Sequence, residues 1–184
     1  MNSVMDAIKK RISIRAYQEK PLPEDVITSL LEAARYAPTA RNAQQLEYKV
    51  ITSQALSKKL SDRIMAALHK EIAAMPVPPT MPPPPPRPHI FYFAPLVIII
   101  AGPKDNLWID SDAALGVQNI MLYAASIGLG SCFIGMARLL EKDSEMLGEL
   151  RIKDDQRIAA CVVVGYPDEK PAPKEKKLKA EYFT

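Results

Sequence analysis

Arg11, Ser13 and Arg15 stand on alternate residues near the start of the chain, and together they have the chemistry of a phosphate site. If this segment is extended, these three side chains point to one side, while Ile12 and Ile14 point to the other. Arginine offers a fixed fork of donors that suits phosphate oxygens. A solvated basic turn is the alternative interpretation, because short charge clusters often serve only solubility.

A second polar segment runs from Thr39 to Gln45 and contains Asn42 and Gln44. Each of these amides carries both a donor and an acceptor, which suits the edge of a heterocycle with alternating carbonyl and N–H groups. The alternative is a turn that caps itself, since Asn is common in turns for that reason alone. The two segments together suggest a ligand with an anionic end and a flat polar end.

One helical pattern separates these two segments. It begins after Pro23 with the acidic residues Glu24 and Asp25, and we expect it to end before Pro38, because a residue that precedes proline leaves helical geometry. The remaining periodicity predicts helices over about 3–10, 54–74, 110–126 and 143–150 and strands over about 46–51, 95–101, 132–134 and 157–165. The strands over 95–101 and 157–165 are apolar runs of the kind that are buried on both faces.

The composition is that of an ordinary globular protein. Hydrophobic residues make up 48% and charged residues 24% of 184 residues, which fits one domain over 1–184. The net charge of +3 is too small to indicate nucleic acid or membrane as a partner. Two distant cysteines, two histidines and no CxxC pair argue against a metal site. We expect a cytoplasmic protein, since the first residues lack the apolar run of a signal peptide.

Two further segments are unusual. Gly128-Leu129-Gly130-Ser131 follows the most apolar helix, where its glycines would either end that helix or let backbone approach a ligand. The segment 75–90 is rich in proline, which excludes helix and central strand and favours polyproline II. It could be a spacer, a lid over a pocket or a docking motif for an SH3-like partner.

The order of these segments along the chain resembles the nitroreductase family of FMN-dependent flavoproteins. The resemblance is carried by Arg11–Arg15, Ala37–Gln44, the helix that contains Asp112, the Gly128–Cys132 segment and Val164–Pro167. It implies an α+β fold, sandwich-like, in which a central mixed sheet is flanked by helices. It also implies an intertwined homodimer with FMN sites at the interface.

The resemblance also implies roles for individual residues. Arg11 and Ser13, with Ile12 between them, would hold the phosphate and ribityl chain, and Arg15 would lie near the N1 and O2 side of the flavin ring. The other subunit would contribute Pro38, Thr39, Ala40, Asn42 and Gln44. Near the flavin N5 would lie Gly128, Leu129, Gly130 and Ser131. The phosphate would also be bound by Lys174 and Lys176.

The activity implied by the resemblance is electron transfer from NADH or NADPH through FMN to a small acceptor such as a nitroaromatic or quinone, with ping-pong kinetics. No catalytic acid or base is required, because the cofactor carries the chemistry. The chain departs from the family pattern at Gln45 and Leu46, at Phe133 and in the proline-rich segment. The alternatives are a flavin-binding or storage protein without useful turnover, and an interaction module that uses the proline-rich segment.

Overall fold

The computed structural model describes residues 3–73, 88–172 and 175–183. Within this part of the chain, four strands form one sheet in the order β1-β2-β4-β3. The strands are β1 Glu47–Ile51, β2 Leu96–Pro103, β3 Gly130–Phe133 and β4 Gln156–Gly165. All three strand pairs are antiparallel. An isolated parallel bridge joins Ser13 to Ser131 beside β3, outside the four strands.

Five α-helices surround the sheet in the described ranges: α1 Ser3–Lys10, α2 Glu24–Arg35, α3 Gln54–Ala73, α4 Ile109–Ser126 and α5 Ser144–Glu149. Their positions confirm the helical periodicity of the sequence to within two residues. Two 3₁₀ segments, Ala40–Asn42 and Gly135–Lys142, were not predicted. The proline-rich segment lies almost entirely outside the described residues, so the structure leaves its three interpretations as predictions.

Strand β2 shows why the central strands are apolar throughout. Leu96, Ile98 and Ile100 belong to a buried cluster with residues of α2 and α4. The alternate residues Val97 and Ile99 belong to a second cluster with residues of α3 and α5. Because successive side chains point to opposite faces and both faces are covered, every position of the strand must be apolar.

The helical layer of α2 and α4 is tied together by a polar contact as well as by apolar packing. Asn119 Nδ2 on α4 donates a hydrogen bond to the carbonyl oxygen of Ala33 on α2 at 3.0 Å. Gly116 lies on the same helix, and a Cβ there would come within 2.9 Å of the Tyr48 hydroxyl. This close packing fixes the end of α2, and with it the polar segment that follows.

Candidate functional site

The first candidate site is a basic cleft of about 210 Å³ at the β3 edge of the sheet. It is lined by Arg11, Ile12, Ser13, Arg15, Glu169, Pro171, Ala172 and Lys176. Ile14 is only 5% exposed and belongs to the core, as the predicted alternation requires. Ile12 also packs partly against the core and lines the cleft as well. The cleft therefore brings together four of the predicted site residues, namely Arg11, Ser13, Arg15 and Lys176.

The neighbouring glycine segment positions the basic cleft. The amide of Ile14 donates to the carbonyl oxygen of Ser131 at 3.0 Å, which docks the segment 11–15 on β3. A Cβ on Gly130 would lie 2.7 Å from Ile14 Cγ1, so only glycine allows this approach. Gly128 has φ +80 and follows the end of α4, where the amide of Leu129 donates to the carbonyl oxygen of Ala124 at 2.8 Å. It is therefore a helix-ending glycine.

Arg15 lies among groups that favour its positive charge. Burial lowers its pKa, but the net pKa is raised because Cys132, Tyr92 and Glu169 lie near it and Tyr92 accepts a hydrogen bond from its guanidinium. The carboxylate of Glu169 also accepts a short hydrogen bond from the backbone amide of Arg15. Arg15 is therefore held at both its backbone and its side chain.

The second candidate site is an amide cleft of about 380 Å³ between the end of α2 and β1. It is lined by Leu31, Ala34, Arg35, Ala37, Thr39, Asn42, Gln44, Leu46 and Tyr48. Gln44 Nε2 donates to Asn42 Oδ1 at 2.9 Å, and the backbone amide of Gln44 donates to Thr39 Oγ1 at 3.1 Å. The two predicted amides thus lie side by side in a partly apolar cleft.

The backbone of this segment is strained. Arg41, Asn42 and Gln44 have φ values of 55°, 53° and 50°, in the left-handed region that residues other than glycine seldom adopt. Asp112 on α4, only 4% exposed, accepts a hydrogen bond from the Ala40 amide at 3.0 Å. The buried carboxylate and the Thr39 hydroxyl hold the segment in this conformation, which is common at ligand sites.

The two clefts lie at opposite edges of the sheet. The amide cleft adjoins β1, and the basic segment docks on β3, three strand spacings away, which is at least about 14 Å. They also lie against opposite faces, since Leu46 packs on one buried cluster and Ile12 on the other. One chain therefore does not bring its two predicted groups of site residues together.

The other predicted residues are more scattered. Ala40 lines a neighbouring cavity of about 420 Å³ that also contains Arg41 and Trp108, and Pro38 is exposed. Lys174 lies outside the described residues. Glu169, Asp112 and Tyr92 were missed as contributors to the two clefts, because each acts through a contact distant in sequence.

Residues 3–73, 88–172 and 175–183 contain no group of three or more His, Cys, Asp or Glu side chains that could hold a metal ion. No helix within these ranges is long and apolar enough to cross a membrane.

Comparisons with known proteins give a consistent result. A model of the nitroreductase family matches residues 8–166. A Bacillus subtilis protein provisionally named NAD(P)H nitroreductase YfhC is 26% identical over 182 residues, which cover 97% of this chain and 92% of that relative. The chloronitrobenzene nitroreductase of Comamonas testosteroni is 24% identical over 198 residues, covering 89% of this chain and 86% of the relative. A crystal structure of a Bacteroides fragilis nitroreductase with bound FMN has 27% identity and a TM-score of 0.82, covering 100% of this chain and 98% of the other.

Proposed function

Because the chain belongs to the nitroreductase family, we propose that it is an FMN-dependent oxidoreductase that passes electrons from NADH or NADPH to a small organic acceptor. A nitroaromatic or a quinone is the class of acceptor we propose, and the name of the Comamonas relative supports the first. When bound, FMN would supply the chemistry of accepting hydride and delivering electrons. The residues of the chain bind and orient that group.

The basic cleft fits the phosphate end of FMN. Arg11, Arg15 and Lys176 supply positive charge, and the Ser13 hydroxyl supplies a further hydrogen-bonding group. The cleft of about 210 Å³ is smaller than the 300 Å³ or more that is typical of a site for a whole drug-sized ligand. It therefore suits the phosphate end of the cofactor, and most of the ring would extend beyond it.

The amide cleft fits the flat end. Asn42 and Gln44 lie next to one another, and each amide can make several hydrogen bonds at once. Apolar neighbours such as Leu31 and Tyr48 complete a cleft that could cover part of a ring. We propose that this cleft acts on the FMN held by a second copy of the chain.

The observation that carries this proposal is the separation of the two clefts across the sheet. A homodimer in which the amide segment of one chain approaches the basic cleft of the other would unite them, and a two-fold axis would create two such sites. The surface offers apolar area for this contact, since Val4, Met5 and Ile8 of α1 and Leu115 of α4 are exposed. Exposed apolar patches of this kind are typical of protein interfaces.

Within this site, Arg15 has an electrostatic role. An arginine is cationic at any ordinary pH, so Arg15 can stabilise negative charge that develops on a ligand beside it. Its contacts with Tyr92 and Glu169 restrict where the guanidinium can lie. Such pre-positioned charge is more effective than a mobile lysine, because little reorganisation is needed when the ligand becomes charged.

The visible absorption spectrum of the purified protein, with the released chromophore identified, tests FMN binding. About one FMN per chain is expected for two sites in a two-fold dimer. Steady oxidation of NADH or NADPH with a nitroaromatic acceptor tests turnover. Bound FMN without such oxidation would instead support the storage alternative, and a protein that neither contains nor takes up FMN would contradict the proposal.

A mixed dimer tests whether each site draws on two chains. We expect Arg15→Glu and Asn42→Ala homodimers to lose FMN. A mixed dimer of one chain of each kind, purified with two different tags, would combine both changes in one site and leave the other intact. It should therefore regain about half of the wild-type FMN by this two-chain geometry. A mixed dimer that binds none would show that each site is built within one chain.

A further inference from the structure

The turn that leads into β2 is strained. Tyr92 and Phe93 both have φ of 55°, although each is a bulky residue that strongly disfavours the left-handed region. Backbone hydrogen bonds from Tyr92 to His89 at 3.2 Å and from Ala94 to Phe91 at 3.0 Å close the turn. Strain of this kind persists only where the surroundings over-determine the conformation.

His89 lies at the centre of this turn and is only 2% exposed. Its Nδ1 accepts a hydrogen bond from the Phe91 amide at 3.1 Å and lies 3.5 Å from the Phe93 amide nitrogen. The imidazole ring also packs against the rings of Phe91 and Phe93, with centroids 5.9 and 4.4 Å away. The same stretch is fixed on α3, because the Ile90 amide donates to Ser61 Oγ at 2.9 Å.

The role of acceptor fixes the protonation state of His89. An imidazole whose Nδ1 accepts hydrogen bonds carries its proton on Nε2 and is neutral, whereas an imidazolium has no acceptor. Protonation would therefore place an N–H opposite the amides of Phe91 and Phe93. The hydrogen bonds from the Phe91 and Phe93 amides, on either side of Tyr92, would be lost.

What the turn positions is Tyr92, which accepts a hydrogen bond from Arg15. The turn is therefore connected to the basic cleft by one contact, and His89 is connected to Arg15 through Tyr92. His89 itself does not line the cleft.

We propose that His89 is a positioning residue for the basic cleft: as a neutral acceptor it holds the 89–93 turn so that Tyr92 supports Arg15, and its protonation weakens the binding of FMN. This inference rests on the proposed function. It adds an acid-sensitive residue to that function, and this residue does not itself line the basic cleft.

The direction of the pH dependence follows from the surroundings of His89. Burial lowers its pKa, and Lys58 on α3 lowers it further, while Asp62 on α3 opposes them. Since the folded pKa is lowered, the folded chain binds fewer protons at this group than the unfolded chain does between the two pKa values. The stabilisation of the folded chain by neutral His89 is therefore complete above the ordinary pKa of histidine, about 6.5. It is lost as the pH falls through the pKa of His89 in the folded chain.

The experiment compares FMN dissociation constants from pH 8 to pH 5 in the wild type and two variants. His89→Asn places an amide oxygen near the position of Nδ1 but does not titrate in this range. His69→Asn is the matched control, because His69 is the other histidine of the chain and is exposed. We expect the wild type and His69→Asn to lose about tenfold more affinity on acidification than His89→Asn, the scale of one hydrogen bond to a charged group.

Tyr92→Phe gives a second test, at pH 8. Removing the hydroxyl that accepts from Arg15 should weaken FMN binding about as much as acidification weakens it in the wild type, and should reduce the further loss at pH 5. Parallel pH profiles for the wild type and His89→Asn would overturn the proposal, as would unchanged binding by Tyr92→Phe.

Direct titration of the histidines by NMR does not depend on a substitution at position 89. With His69→Asn used to assign the signals, His89 should stay neutral, with its proton on Nε2, to a pH below the ordinary histidine pKa of about 6.5, and its titration should coincide with FMN loss. Titration of His89 at or above about pH 6.5 would overturn the proposal. If the wild type takes up no FMN at all, the proposed function fails. Urea unfolding then tests the role of His89 in the turn. Between pH 8 and pH 5 the free energy of unfolding should fall less for His89→Asn than for the wild type, and equally for His69→Asn and the wild type.

Discussion

Gly130→Ala should separate the basic segment from the sheet. The added Cβ would lie 2.7 Å from Ile14 Cγ1, 2.8 Å from Ile14 Cβ and 2.9 Å from Ile14 Cγ2. Because Cβ itself is one of the three atoms, no side-chain rotation of Ile14 removes the overlap. The backbone must move, although it is held by the 3.0 Å hydrogen bond between Ile14 and Ser131.

The expected magnitude is that of overpacking a filled core. An extra methyl group in such a site typically lowers the free energy of unfolding by about 1–3 kcal/mol. Because Arg11, Ser13 and Arg15 move with Ile14, FMN binding should weaken as well. Loss of one hydrogen bond between charged groups would raise the dissociation constant by about tenfold or more.

Gly148→Ala is the matched control. Gly148 lies in α5, and a Cβ there would meet no atom within 4 Å. Alanine is favoured over glycine within a helix by roughly 0.5–1 kcal/mol, so this variant should be slightly more stable than the wild type. The same chemical change should therefore have opposite effects at the two positions.

Urea denaturation followed by far-UV circular dichroism measures the first effect, and quenching of flavin fluorescence in a titration measures the second. The reasoning is refuted if Gly130→Ala is as stable as Gly148→Ala. A destabilised Gly130→Ala that binds FMN with wild-type affinity would refute the link between the glycine and the phosphate site.

Further expectations concern buried and cleft-lining groups. Asp112→Ala removes the acceptor for the Ala40 amide and should lower the free energy of unfolding by about 1–3 kcal/mol, measured by urea denaturation; an unchanged midpoint would contradict it. Burial raises the pKa of Cys161, so a thiol reagent at pH 8 should modify it only after denaturant is added, as counted by absorbance or mass. Glu169→Gln keeps an oxygen that can accept from the Arg15 amide but removes a negative charge from the basic cleft, so it should tighten binding of inorganic phosphate, measured by calorimetry; weaker binding would contradict it.

The sequence predicted most elements because their patterns depend on local spacing. The alternation around Ile14 and the apolar run of β2 both follow from the two-residue period of extended chain. The end of α2 before Pro38 follows from the geometry of proline. These features need no knowledge of the rest of the chain.

The strained conformations could not be predicted in this way. Nothing local in the sequence marks Arg41 or Tyr92 for the left-handed region, since neither is glycine. In each case a group far along the chain provides a restraint. Asp112 does so for the segment around Arg41, and Ser61, which accepts a hydrogen bond from the Ile90 amide, does so for the turn that contains Tyr92. The tertiary contact overrides the local preference of the backbone.

Glu169 shows a similar limit and changes the interpretation of the basic cleft. It is 154 residues from Arg15 in sequence, and it places a carboxylate in a cleft whose other charged groups are cationic. An acidic residue there would oppose a phosphate if charge alone determined binding. Glu169 accepts its hydrogen bond from the backbone amide of Arg15, however, so it fixes the main chain at this residue. Tyr92 fixes the position of the guanidinium group. The negative charge of Glu169 weakens the attraction of the cleft for anions, but its contact with Arg15 fixes the position of the donors. The fixed guanidinium therefore favours a ligand that presents its negative charge in one orientation. A free anion of the same charge gains less from it.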